Sequence, residues 1–102
     1  MKQHEYDITV KHIADAKGNA STYTEALQFK AYNHDDIFKV LGFIQNSKIL
    51  DDESAKAFAV GLKLFGEVML ENKELPLFKE FMPQFIEFMK TLKRTAKSQT
   101  QG

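Results

Sequence analysis

The stretch from Ala57 to Leu70, AFAVGLKLFGEVML, carries only two ionisable side chains, Lys63 and Glu67. They stand four apart, so on a helix they are surface neighbours. The rest of the circumference is apolar or glycine, without the wide polar face of a surface helix. A helix that is hydrophobic nearly all round needs protein or lipid on every side. The run falls short of the roughly 18 apolar residues that mark a membrane span, which leaves protein as its surroundings. A chain of 102 residues has little else with which to enclose such a helix. The sequence therefore predicts a largely buried central helix and a partner subunit.

Composition narrows the class. Hydrophobic residues make up 43% and charged residues 27%, ordinary for one small globular domain and unlike a disordered chain. Lys plus Arg and Asp plus Glu both total 14, so no net field draws the chain to nucleic acid or to an anionic membrane. The absence of cysteine removes disulfides, thiolate metal ligands and cysteine nucleophiles together. The opening MKQHEYDITV lacks the apolar core of a signal peptide, which points to the cytoplasm. Nine Phe and three Tyr, with no Trp, favour a packed interior over an aromatic binding platform.

Period-two alternation opens the chain. From His4 to Ile13, Tyr6, Ile8, Val10 and His12 alternate with Glu5, Asp7, Thr9 and Lys11, as in a half-buried strand. Asp15-Ala16-Lys17-Gly18-Asn19 supplies turn chemistry. A second alternating run places Tyr23, Glu25, Leu27, Phe29 and Ala31 on one side, so the two runs form an antiparallel hairpin. Asn33 then offers a helix N-cap, followed by acids that complement the helix dipole. Ile37, Val40, Leu41 and Ile44 make a buried helical stripe that ends near Gln45 or Asn46.

The central helix starts from a cap at Asp51 or Asp52 and runs to about Asn72. Gly61 and Gly66 each cost it up to ~1 kcal/mol relative to Ala, a cost explained by another backbone crossing close by. On that reading Gly66→Ala overpacks and destabilises. A third helical region opens at Pro76 and kinks or restarts at Pro83. The prediction is an α+β fold of order ββααα, one domain over residues 1–96, with residues 97–102 as a flexible tail.

The stretches EYDITVKHI, NHDDIF (Asn33 to Phe38), GLKLFGEVML (Gly61 to Leu70) and PLFKEFMPQFIEFMKTLK (Pro76 to Lys93) resemble a family of small bacterial proteins, domain-of-unknown-function family 3861. The resemblance covers most of the chain and implies a compact α+β domain. It brings no reaction, ligand or catalytic residue with it.

No catalytic, metal or cofactor site emerges from the residues. His4 and His12 share one side of the first strand but stand about 26 Å apart at the strand rise, too far to hold one ion. His34 with Asp35 and Asp36 is explained by a helix start. Ser21, Ser47, Ser54 and Ser98 fall in turns, caps or the tail, and none sits in a strained elbow. Lys63 and Glu67 fit a solvent-facing i, i+4 pair on the one wet edge of the central helix. Phe78 to Lys97 is amphipathic with a basic end, a pattern that fits a core helix whose cations complement the dipole. The leading expectation is a non-enzymatic, cytoplasmic homodimer acting as an interaction or structural module, with no nucleic-acid or membrane partner. The alternative is a small apolar-ligand-binding module with Phe58, Phe65, Phe78, Phe81 and Phe85 around a cavity.

Overall fold

In the computed structural model, which describes residues 2–101 and their side chains through residue 98, the alternating N-terminal runs close into an antiparallel hairpin. Strand β1 spans His4–Val10 and β2 spans Leu27–Asn33. Tyr6 faces Ala31, Ile8 faces Phe29 and Val10 faces Leu27, so the apolar sets share one face as the alternation requires. The opposite face is polar: Lys30 Nζ pairs with Glu5 at 2.8 Å, and Gln28 Nε2 donates to Asp7 at 3.0 Å. The ladder is shorter than the alternation suggests because Asp15 gathers the chain into a loop. Its carboxylate accepts from the Lys17 and Asn19 amides at 2.9 Å, while Gly18 takes φ +90°. Val10, Leu27 and Phe29 remain exposed on the apolar face.

Three helices follow: α1 Ile37–Ser47, α2 Asp52–Glu71 and α3 Pro76–Gln101. The chain thus divides into two compact units, one ending at His34 and one starting at Asp35. The cap of α1 is Asp36, not Asn33. Asn33 closes β2 opposite His4, so the ladder holds it in extended backbone. Asp36 accepts from the Phe38 amide at 2.9 Å and the Lys39 amide at 3.4 Å. At the other end Lys48 adopts the left-handed region, φ 62°, and its N–H closes on the Gln45 carbonyl.

Ile44, Ala55 and Ala59 form the buried centre between α1 and α2, with Val40, Leu41 and Phe58 packed against it. Asp51 caps α2 by accepting from the Ser54 amide at 2.7 Å, and Asn72 ends the helix with its side-chain amide on the Val68 carbonyl. Helix α3 starts at Pro76 as expected but does not restart at Pro83. Lys79 and Pro83 are both exposed, so water can serve the Lys79 carbonyl that lost its donor. The backbone stays helical to Gln101, through most of the segment expected as a loose tail; Gly102 and the side chains from residue 99 lie outside the described residues.

Burial of α2 is one-sided. Ala55, Ala59, Gly66 and Met69 are buried, whereas Phe65, Val68 and Leu70 are exposed. Nor does a backbone cross at either glycine. A Cβ on Gly66 would meet the Phe85 ring at 3.4 Å, ordinary contact with a side chain, and one on Gly61 would meet nothing within 4 Å. The overpacking expected for Gly66→Ala therefore has no backbone to act through.

Candidate functional site

The antiparallel course of α2 and α3 gathers most of the phenylalanines singled out in the sequence. Phe65 makes edge contacts with Phe78 at 6.3 Å and with Phe81 and Phe85 at 6.1 Å between ring centroids. Phe81 and Phe85 also touch, at 6.3 Å. Phe58 stands apart from this group and meets Phe88 instead. These tilted and edge-to-face geometries are the favoured ones for ring quadrupoles, and they fill the space between the helices with rings. Phe81 lines an open hollow with Leu77, Glu80 and Gln84, and none of the five lines a second cleft of the helical unit.

That cleft, of about 370 Å³, opens where α1, α2 and α3 converge. Val40, Phe43, Ile44, Leu62, Met89 and Leu92 give it an apolar floor, and Lys39, Lys63, Lys93 and Asp35 supply its charges. Sequence reasoning missed it because its walls come from three helices. Met89 and Leu92 belong to the amphipathic segment from Phe78 to Lys97, but nothing local shows that Lys39 and Lys93 meet beside them. An adjoining hollow is lined by Phe43, Lys93, Arg94 and Lys97.

Lys63 is not solvent-facing. Its side chain is 17% exposed and its ammonium pairs with Asp35, ahead of α1, at 2.5 Å. A lysine in the middle of an apolar helix is tolerated when a carboxylate from another element meets it. Glu67 is half-buried with Oε1 fully covered.

In the hairpin unit His12 Nδ1 lies 2.6 Å from Ser21 Oγ, a juxtaposition the sequence did not suggest. Ser21 Oγ also accepts from the Tyr23 amide, and the His12 ring meets Tyr23 edge-on. No acid in hydrogen bond with His12 is among these contacts, so the pair is a loop-closing contact and not a triad. Among the described residues no group of three or more His, Asp and Glu is placed to hold a metal ion, and no helix is long and apolar enough to cross a membrane.

Four titratable groups are shifted by local hydrogen bonds and ion pairs. Hydrogen bonds from Ser54 hold the Asp51 carboxyl below its ordinary value, and those from Asn19 do the same for Asp15. Glu5 raises Lys30 and Glu53 raises Lys56, each through a hydrogen-bonded ion pair. Caps and surface pairs account for all four.

Comparison with known proteins agrees with the sequence. The profile of a domain of unknown function with a solved structure, DUF3861, matches residues 4–94. A crystal structure of a protein of unknown function from Pectobacterium atrosepticum is 40% identical, over 91% of this chain and 99% of that chain, with a TM-score of 0.78. No curated protein matches significantly. The chain belongs to the DUF3861 family.

Proposed function

We propose that this member of the DUF3861 family is a non-catalytic cytoplasmic interaction module that works as a homodimer through the exposed face of α2 and α3. One observation carries the reading: Phe65 and Phe81 touch each other, yet they remain 45% and 43% exposed. Further apolar side chains adjoin them, with Glu80 and Gln84 beside Leu77 and Phe81. Val68 follows Phe65 by three residues on α2, while Leu77 precedes Phe81 by four on α3, and both are exposed. Fully burying one such side chain is worth about 1.5–3 kcal/mol, so a face that leaves four of them wet gains by being covered. A second copy presents the same uncharged group of side chains, as an isologous two-fold contact requires.

The non-catalytic part rests on chemistry. The cleft offers lysines and one carboxylate already engaged by Lys63, and the Ser21–His12 contact has no acid orienting the ring.

Sedimentation equilibrium tests the dimer. The wild type should have twice the 11.7 kDa chain mass at micromolar concentration, and Phe81→Glu should have the single mass with its helical circular dichroism intact. A wild type of single mass at tens of micromolar would overturn the proposal.

A further inference from the structure

We infer that the cleft between α1, α2 and α3 binds a small free amphiphile with an anionic head group and an unbranched apolar tail. Its size, about 370 Å³, lies in the range of ligand pockets, roughly 300–1,000 Å³. The floor is apolar and, Phe43 aside, aliphatic, and Met89 gives it the adaptability that a flexible alkyl chain needs. The charges are unbalanced. Three lysines face one carboxylate, and that carboxylate, Asp35, is taken by Lys63. Lys39 and Lys93 make no ion pair with a described residue.

This excess is local, since the whole chain carries 14 cationic and 14 acidic residues. It continues into the adjoining hollow, where Lys93, Arg94 and Lys97 surround Phe43 and, among the described residues, Arg94 reaches only Thr91 Oγ1, at 3.3 Å. An apolar floor under a cationic rim selects for a ligand with both halves. A neutral alcohol leaves the rim unmatched, and a short anion leaves the floor wet. Lysine ammonium groups act as point charges without the fork geometry of Arg, so a carboxylate is head enough. A bilayer is a poorer occupant, because membrane adsorption uses a projecting apolar helix face and this floor is recessed among three helices.

The proposal does not depend on the dimer, whose face lies on different residues. Calorimetry and methyl NMR with octanoate test it, beside hexanoate, octanol, octyltrimethylammonium and vesicles of anionic phosphatidylglycerol. Octanoate should bind saturably, one per chain, and should shift the methyl signals of Val40, Met89 and Leu92. Hexanoate should bind more weakly by about fourfold per missing methylene, the equivalent of about 0.8 kcal/mol each. Octanol should bind at least tenfold more weakly, and so should octanoate to the Lys39→Gln/Lys93→Gln protein. The reversed variant, Lys39→Glu/Lys93→Glu, should reject octanoate and accept octyltrimethylammonium, a gain that misfolding cannot mimic. Equal affinity for octanol, unchanged binding by the glutamine variant, shifts centred on Phe65 and Phe81, or binding to vesicles alone would each overturn the inference. The sedimentation mass of the same samples reports on the dimer separately.

Discussion

Helix α2 meets its two neighbours in opposite ways. Towards α1 it presents Ala55 and Ala59, which let the helices approach until Ile44 is 1% exposed. Towards α3 it presents Phe65, whose ring meets other rings and remains almost half exposed. Small side chains let two helices finish a contact within one chain. Large aromatic ones hold the helices apart and carry apolar surface outwards. Apolar content along a helix is therefore not a measure of how much the chain itself buries.

The contrast can be broken most directly at its buried side. Ile44→Ala should cost about 2–5 kcal/mol, seen as a lower urea midpoint with an unchanged m-value. Phe81→Ala, measured where the chain is monomeric, should cost much less. Equal losses would show that both contacts are finished cores.

An intermediate effect is expected at the ion pair that ties α2 to the start of α1. Asp35→Asn should destabilise by about 1 kcal/mol, because it strips a counter-charge from the largely buried Lys63 while the half-exposed Asp35 is itself screened. Lys63→Met should cost less, since it removes the buried charge along with its partner's task. The reverse order would mean that Lys63 is held chiefly by something other than Asp35.

The glycines sharpen the comparison further. Gly66→Ala should now stabilise by up to ~1 kcal/mol, since the added methyl meets the Phe85 ring at ordinary contact distance. Gly61→Ala should do the same in the monomer, where the position is open. A lower denaturation midpoint for Gly66→Ala would show that the Phe85 ring cannot yield.

The smallest effect concerns acid. Hydrogen bonds from Ser54 depress the Asp51 carboxyl below its ordinary value, so its contribution to α2 is complete above the unfolded value. It is lost as pH falls through the folded value. The Ser54 amide should lose protection from exchange in that acid window, and an Asp51→Asn protein should show no such step. Asp15 should behave alike in the hairpin loop.

Local physics made much of this legible. Alternation placed Ile8 and Phe29 on one face, Asp51 announced its helix, and Pro76 opened the next, because each depends on residues within one turn or one pleat. The α1 cap was misplaced because strand pairing across the hairpin, with His4 as partner, claimed Asn33. The pairing of Lys63 with Asp35 was out of reach because i, i+4 neighbours such as Glu67 are visible in a sequence and Asp35 is not. The chain by itself thus determined its elements, their order and their apolar faces. Only the tertiary structure decided which face of α2 is closed, that Phe85 occupies the space over Gly66, and that Lys39 and Lys93 gather over one cleft. Those outcomes are set by how far apart helices stand, which follows from side-chain volumes meeting across elements distant in sequence.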